Sequence, residues 1–435
     1  MKMIVMKIKL LFIFLMSSFV INAQDDSVPL RFTLEECLKY ASSNSHDRRS
    51  MELANKSQQL SYQQSKEQRL PSVNASISEG FSNNAAGSNF SGNIGVNAGM
   101  PIYQGGQINA TIKQQQLSTE QSSLEIERYD DELSIQILQS FLTILGNEEL
   151  LNYQESVLNS SREAMKQGKR KYELGSIIES DYLLLVAQYA SDTNNIVDTQ
   201  IEIDNNLMNL KVLLSMDPLA ELEIISPDTA IMQELSDFPT LDESLEMSLA
   251  YSPDLKISSY DIDIAKQSLR VAKSNLYPSV NLSAGINTGH HNFTNMGNQF
   301  SNQLSEQIGL SVSIPIYNRG SSKLRVKQSE ISLEQTELSH EQKILSVRQT
   351  IVQEYKNMIS TYNKYNVSKM TKDAYLKSFE SYNVQFQYGT ITAVELLQQQ
   401  NSYLNALNNF IQNKYSFILQ RKILDVYMGK GIIRN

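Results

Sequence analysis

The stretch Leu70-Pro71-Ser72-Val73-Asn74-Ala75-Ser76 decides the fold, because it occurs twice. Its second copy is Tyr277-Pro278-Ser279-Val280-Asn281-Leu282-Ser283, in which Pro278 matches Pro71 at an offset of 207. Similarity at a constant offset is typical of an internal repeat, and a repeat determines how the rest of a chain is interpreted. The sequence therefore predicts one structural unit that is present in two copies.

Two further matches support the duplication. Pro101-Ile102-Tyr103 recurs as Pro315-Ile316-Tyr317 at an offset of 214, and the same offset relates Gly175 to Gly389. A seven-residue insertion in the loop between the matched runs explains the change of offset. The predicted domains are a first repeat at 24–216, a linker at 217–239 and a second repeat at 240–435.

The N-terminal segment at 1–23 is typical of a secretory signal peptide. Lys2, Lys7 and Lys9 precede an apolar run at 10–16, and cleavage is predicted after Ala23. The run is shorter than the roughly 20 residues that a spanning helix needs. A single membrane anchor is the alternative interpretation, and either one predicts export from the cytoplasm.

The charge and composition exclude several classes of function. The formal charge is −9, and loss of the signal peptide with its three lysines lowers it to −12. This charge disfavours nucleic acid as a partner, since phosphate binding needs a positive surface. Cys37 is the single cysteine, which excludes an internal disulfide. No later segment has 18 consecutive apolar residues, so a mature chain that enters a membrane would need a β-barrel.

The order of elements predicted for each repeat is a helix, two short strands, a very long helix and a closing helix. This order makes a mainly α fold with a small β part. The strands are predicted at 72–81, 94–103, 279–288 and 307–317. Apolar and small polar residues alternate in them over about ten residues, as in a transmembrane strand, although a half-buried soluble sheet shares this pattern. Because four strands cannot close a barrel, we expect three copies to share one of 12 strands.

The polar segments at 82–93 and 289–306 are predicted to be long loops that connect the strands of each repeat. Asn, Ser and Gly dominate both segments. Their composition is typical of the outward-facing loops of membrane strands.

The long helix of the first repeat is predicted from Gly106 to Lys171, a stretch without proline. Apolar residues recur in it every seven positions, which predicts supercoiled, packed helices. They are Ile137, Ile144, Leu151, Leu158, Met165 and Tyr172. Such a helix spans on the order of 100 Å, as a tube projecting from a membrane would require. A filamentous coiled-coil surface protein is the alternative, and runs such as Gln398-Gln399-Gln400 indicate a solvated face or a wet tunnel wall.

The sequence contains no pattern that predicts catalysis or a cofactor. None of the four histidines has a partner at metal-binding spacing, and the pair His290-His291 lies in a predicted outer loop. No nucleophile elbow, P-loop or dinucleotide fingerprint is present. We expect a protein that is not an enzyme and has no metal site.

These features together resemble the TolC family of outer-membrane efflux proteins, over 33–429. The resemblance rests on the duplicated Pro-Ser-Val and Pro-Ile-Tyr motifs and on the turns Tyr172-Glu173-Leu174-Gly175-Ser176 and Gln387-Tyr388-Gly389-Thr390. It implies a homotrimer with a 12-strand barrel in the outer membrane and a 12-helix periplasmic tunnel, with the linker in a belt around it. It also implies a passive efflux conduit that docks on a periplasmic adaptor and an inner-membrane pump of RND or ABC type. A type I protein secretion duct of the same fold is the alternative.

The resemblance also assigns roles to residues at the ends of the long helices. The tips that would face the adaptor are Leu174, Gly175, Ser176, Tyr388, Gly389 and Thr390. The periplasmic gate would involve Asp181, Glu395 and Gln398. The family has aspartates at the last two positions, so one acidic group is kept as Glu and one is lost. In the alternative interpretation, Asp181 only caps its helix and Glu395 is only solvated.

Overall fold

A computed structural model describes residues 30–84, 87–225, 238–291 and 296–432. The predicted signal peptide at 1–23 lies outside the described residues, as do residues 226–237 of the predicted linker.

The described elements repeat in the predicted order. The first repeat contains β1 (Leu30–Phe32), α1 (Leu34–Asn44), α2 (His46–Glu67), β2 (Ser72–Asn84), β3 (Gly87–Gln104), α3 (Gln107–Glu173) and α4 (Glu179–Leu213). Strand β4 (Leu222–Ile224) then pairs in parallel with β1. The second repeat contains α5 (Leu241–Tyr251), α6 (Pro253–Ser274), β5 (Ser279–His290), α7 (Met296–Asn302), β6 (Ser305–Ser313), α8 (Ser321–Tyr388) and α9 (Ala393–Tyr427). The duplicated order is confirmed, and the limits of the domains stay a prediction.

The first helix of each repeat begins with the same local signal. The hydroxyl of Thr33 accepts a hydrogen bond from the backbone N–H of Glu36 at 3.3 Å, and the Glu36 carboxylate accepts one from the N–H of Thr33 at 2.8 Å. Thr240 accepts from the N–H of Glu243 at 3.2 Å in the equivalent helix. A side-chain acceptor at this position satisfies an N–H group that has no partner within the helix, which fixes where each helix begins.

The main sheet has the antiparallel order β2-β3-β5-β6. Val96 of β3 lies opposite both Ala75 of β2 and Ile286 of β5. The apolar positions of neighbouring strands therefore share one face, as the alternating pattern predicts.

The predicted strand limits are wrong at both hairpins. Strands β2 and β3 run to Asn84 and from Gly87, so the segment at 82–93 is mostly strand and not a long loop. Backbone hydrogen bonds hold this polar part of the ladder and need no apolar side chains. In the second repeat, β6 ends at Ser313, and helix α7 occupies part of the predicted loop. Pro315, which has no N–H to donate, lies just beyond the end of β6.

The long helices α3 and α8 contain 67 and 68 residues, so each is about 100 Å long, as predicted. Ile137 and Ile144 are completely buried. Further along α3, Val157 and Ala164 are buried, and each lies one position before a predicted heptad residue, Leu158 or Met165. A straight helix has 3.6 residues per turn, so a seven-residue pattern drifts around it. None of the described helices has an apolar stretch long enough to cross a membrane.

The hydrophobic core joins the two repeats. Phe141 of α3, Leu210 of α4, Met358 of α8 and Leu424 of α9 are almost completely buried in one cluster. A second cluster near the far ends of the long helices contains Leu396 among others. Burial of such a side chain stabilises the fold by roughly 1.5–3 kcal/mol. The two repeats are thus packed into one body.

We predict opposite effects of substitution at two equivalent positions of the strand-to-helix turns. Gly105 has a φ of +62°, and a Cβ there would lie 2.5 Å from the carbonyl oxygen of Ser274. Arg319, the equivalent of Gly105 in the second repeat, has a φ of +58° although it is not glycine. Gly105→Ala should destabilise the protein, and Arg319→Gly should stabilise it by about 1 kcal/mol, because a left-handed backbone is costly for residues with a Cβ.

Thermal unfolding of the purified protein measures both effects. Gly297→Ala is the control, because a Cβ at Gly297 meets open space. An unchanged midpoint for Gly105→Ala would contradict the prediction.

A second prediction concerns pH. Burial raises the pKa of Asp131 to about 6, while its carboxylate accepts a hydrogen bond from Tyr251 Oη at 2.9 Å. The folded state holds this proton more tightly than the unfolded state does, so stability should fall as the pH rises from about 4 to 6. Asp131→Asn should remove that loss. The stabilisation that the substitution gives should therefore be larger at pH 7.5 than at pH 4.5, by roughly 2 kcal/mol. Unfolding at the two pH values tests this, with Glu125→Gln on the same helix as the control, and an equal effect of Asp131→Asn at both pH values would refute it.

Candidate functional site

The two predicted tips are tight turns that end the long helices α3 and α8. Gly175 and Gly389 have φ values of +70° and +79°. The N–H of Ser176 donates to the carbonyl of Lys171 at 2.7 Å, and the N–H of Thr390 donates to the carbonyl of Gln385 at 3.1 Å. Both turns are therefore Schellman motifs, in which a left-handed glycine lets the chain leave the helix.

The tips present apolar side chains to solvent. Leu174 is 80% exposed and Tyr388 is 82% exposed. Ser176 and Thr390 beside them are exposed as well. Large exposed apolar groups at the ends of long helices are typical of a surface that a partner covers.

Glu395 lies in the first turn of α9 and takes part in its N-terminal cap. Its carboxylate accepts hydrogen bonds from the N–H of Thr392 at 2.8 Å and from the Thr392 hydroxyl at 2.9 Å. These two bonds lower the pKa of Glu395 from its usual value. The residue is therefore an exposed, ionised carboxylate in a fixed position.

Asp181 occupies the equivalent third position of α4, but its surroundings differ. The residue before this helix is Ile178, and no side chain caps the helix. Asp181 is half-buried, and its carboxylate makes no hydrogen bond or ion pair among the described residues. The structure thus places Asp181 and Glu395 at equivalent ends of two helices, with only Glu395 held by a cap. Gln398 is exposed one turn further along α9, and the gating roles of all three stay predictions.

Lys171 connects the two tips, a contact that the sequence did not predict. Its ammonium group donates to the carbonyl oxygen of Phe386 and lies 4.4 Å from the centre of the Phe386 ring. Burial lowers the pKa of Lys171. A lysine near the end of a helix is usually solvated, so no signal in the sequence indicated this contact.

A buried polar cluster links α3, α4 and α9 above the tips. Gln400 Nε2 donates to Asp192 Oδ2 at 2.7 Å and to Ser161 Oγ at 2.8 Å. Ser161 also donates to Asp192, and Gln188 Nε2 donates to Asp192 Oδ1 at 2.9 Å. Gln400 is 2% exposed, so the prediction that 398–400 forms only a solvated or tunnel-lining face is wrong for this residue. Each buried polar atom in the cluster has a partner, which makes its burial possible.

A second polar contact joins the repeats further from the tips. Glu149 of α3 accepts hydrogen bonds from Lys414 Nζ at 2.5 Å and from Tyr415 Oη at 2.9 Å, both on α9. Burial raises the pKa of Tyr415, so its hydroxyl keeps its proton and remains a donor. Helix α9 is thus held to α3 at two heights.

The described residues contain no group of three or more His, Cys, Asp or Glu side chains that could hold a metal ion. His290 lies at the end of β5 and not in a loop as predicted. Its Nε2 lies 3.1 Å from both carboxylate oxygens of Glu79. The site is thus a set of helix ends and inter-helix contacts.

Comparison with known proteins agrees with this architecture. E. coli (strain K12) outer membrane protein TolC is 20% identical over 300 residues, which cover 67% of this chain and 60% of TolC. The Pseudomonas aeruginosa alkaline protease secretion protein AprF is 20% identical over 317 residues, which cover 71% of this chain and 64% of AprF. The chain thus matches less than two thirds of the length of either relative. A solved structure of CusC has a TM-score of 0.80 at 16% identity, with 91% of each chain covered.

The family model described as outer membrane efflux protein matches residues 37–215 and 244–430. These two segments contain most of both repeats. The chain belongs to the outer membrane efflux protein family.

Proposed function

We propose that this protein is the outer-membrane channel of a tripartite efflux or export system. Three copies form a passive conduit from the periplasm to the exterior, with the strands in the outer membrane and the long helices in the periplasm. The observation that carries the proposal is an apolar helix face that a single chain leaves uncovered.

The uncovered face lies on the membrane-proximal half of α8. Four large apolar residues recur there every seven positions, and each is between 54% and 65% exposed. They are Leu324, Ile331, Leu338 and Leu345. The equivalent positions on α3 begin with Ala110 and Leu117, which are buried. The same helix face is thus buried in the first repeat, on α3, and exposed in the second repeat, on α8.

The packing order explains what would cover this face. In the first repeat α3 lies between α2 and α6, while α8 packs against α6 on one side. Helix α2 also has an open face, with Leu53 and Leu60 exposed. Helix α2 of the first repeat is equivalent to α6 of the second, and α3 is equivalent to α8. Helix α2 of a second chain could therefore pack against α8 in the way that α6 packs against α3 within one chain. Three copies would close such an array into a ring.

The sheet supports the same arrangement. Strands β2 and β6 are its two edges. The pairing of β3 with β5 would repeat as a pairing of β6 with β2 of the next copy, so no edge would remain exposed. The apolar face of the sheet is uncovered, with Ile77 74% and Ile308 82% exposed, which suits contact with lipid.

The partners follow from the two ends of the molecule. A duct needs an external energy source, which an inner-membrane pump of RND or ABC type would supply. A periplasmic adaptor would cover the exposed tips around Leu174 and Tyr388. Protein secretion is a second candidate cargo class, which the likeness to the secretion protein AprF favours.

We predict disulfide bonds between copies at defined positions. Within the chain, Gln114 of α3 donates to Ser268 of α6 at 3.1 Å. The equivalent positions between copies are Gln328 of α8 and Ser61 of α2. Oxidation of the variant Ser61→Cys/Gln328→Cys should therefore give covalent dimers and trimers on a denaturing gel.

The control for this experiment is Ser61→Cys/Gln335→Cys. It places the second cysteine on nearly the same face but about 10 Å further along α8, beyond disulfide range. Native Cys37 can stay in place, because it is completely buried and burial raises its pKa to about 12. Equal cross-linking of both variants, or none in the first, would contradict the trimer.

The proposed gate is tested by removing charge while keeping the helix caps. Glu395→Gln retains a side chain that can accept from Thr392, and Asp181→Asn keeps the size of the side chain. If three copies of these carboxylates surround the tunnel axis, the double variant should raise single-channel conductance in planar bilayers and reduce cation preference.

Asp204→Ala/Glu334→Ala is the matched control, since it removes two exposed carboxylates far from the tips. The further variant Glu395→Ala loses the cap as well as the charge. If Glu395→Ala alters conductance and Asp181→Asn/Glu395→Gln does not, the role of Glu395 is structural and the gate proposal is rejected.

A further inference from the structure

Positive charge is concentrated where the helices meet the strands. The four chain segments at this level are 61–71, 105–113, 268–278 and 314–327. They contain nine basic residues and one carboxylate, Glu67, in a chain whose net charge is −9. The nine, which we call the basic collar, are Lys66, Arg69, Lys113, Arg270, Lys273, Arg319, Lys323, Arg325 and Lys327.

The collar side chains are available for binding. All nine residues are exposed. Only Lys273 has a carboxylate within ion-pair distance among the described residues, at 3.7 Å from Glu330. Arg69 and Arg270 donate to the neutral side chains of Asn109 at 2.7 Å and Gln267 at 3.2 Å. The positive charge of the collar is therefore almost uncompensated within the chain.

Part of the collar surrounds a cavity between α3 and α6. Its volume is about 330 Å³, and its lining includes Lys113, Arg270, Lys273 and Tyr277. Gly105 and Gly106, in the turn between β3 and α3, also line it. Three cations and a tyrosine around such a cavity suit a phosphate group with an apolar attachment.

Assembly of three copies would not neutralise the collar. The proposed contact between α8 and α2 of the next copy brings the cations near Lys323 and Lys327 towards Lys66 and Arg69. Like charges at such a contact repel unless anions lie between or beside them. The anions must come from outside the protein.

The position of the collar identifies their source. Tyr103 lies near the end of β3, Tyr277 just before β5, and Tyr317 four residues beyond β6, which is the level at which membrane proteins have an aromatic girdle. The collar begins at this level and extends over about seven residues of helix, or roughly 10 Å. The headgroup layer beside the hydrocarbon core has a similar thickness of about 5–8 Å.

We infer that the basic collar binds the phosphate groups of anionic glycerophospholipids in the leaflet that faces the periplasmic helices. This inference rests on the membrane placement proposed above. The bound lipids separate the like charges of neighbouring copies and hold the strand-to-helix junction at the membrane surface.

The test uses the full-length protein in detergent, with lipid binding measured by native mass spectrometry. Phosphatidylglycerol and phosphatidylcholine are the two probes, and the protein should retain the former in preference. Lys323→Gln/Arg325→Gln/Lys327→Gln should weaken phosphatidylglycerol binding on the order of a hundredfold, given the usual contribution of a basic residue at an anionic surface. Lys364→Gln/Lys369→Gln/Lys377→Gln, on the same helix but far from the strands, is the matched control and should bind normally.

Three outcomes would overturn the inference. Equal retention of both lipids would exclude a charge-specific site. Displacement of phosphatidylglycerol by millimolar inorganic phosphate would show a site for the free ion. A changed ion selectivity of the collar variant in planar bilayers, with unchanged lipid binding, would place the cations inside the conduit.

Failure of the inference is distinguishable from failure of the proposed function. Suppose that a collar variant conducts normally and forms the disulfide-linked trimer, but binds lipid like the unmodified protein. The lipid inference is then rejected, and the channel proposal is retained. If the protein binds phosphatidylglycerol but neither cross-links nor conducts ions, the proposed channel function is rejected.

Discussion

The structure depends on one constraint: a helix array built from two copies of one unit cannot cover its own ends. Within the chain, α6 covers the apolar face of α3, but the equivalent face of α8 around Ile331 has no neighbour among the described residues. The sheet has the same property, because β2 and β6 are unpaired edges of the described sheet. In the proposed trimer, the addition of identical copies around an axis would fill both gaps, and a hollow assembly would follow.

The sequence was sufficient for the features that depend on local or periodic signals. The glycines at 175 and 389 mark where the long helices end, because a positive φ demands a particular residue type. The length of α3 followed from a stretch without proline. The duplication was visible because the motifs at the strand-to-helix junctions have kept their spacing.

Features that depend on tertiary neighbours could not be predicted in this way. Gln400 lies in a run of three glutamines that looks solvated, and only Asp192 and Ser161, far earlier in the chain, make its burial favourable. Apart from Phe90, the hairpin ends at 82–84 and 87–93 consist of small or polar residues, so they show no apolar alternation that would predict a strand. The gate residues Asp181, Glu395 and Gln398 came from resemblance alone. The structure adds a cap for Glu395, for which the spacing of Thr392 and Glu395 is the sequence signal.

The Lys171 contact has a consequence for symmetry. It ties the first tip of a chain to the second, while the cluster around Asp192 joins α4 to α9 above them. The positions equivalent to Ser161, Asp192 and Gln400, at an offset of 214, are Tyr375, Ala406 and Val186, which are apolar or aromatic. In the proposed trimer the six tips would therefore form three pairs. Polar contacts would hold the two tips of one chain together, and apolar or aromatic side chains would lie between the tips of neighbouring chains. A partner that binds the tips would meet two kinds of groove in alternation. If six identical partner copies bound, one in each groove, they would therefore occupy two different environments.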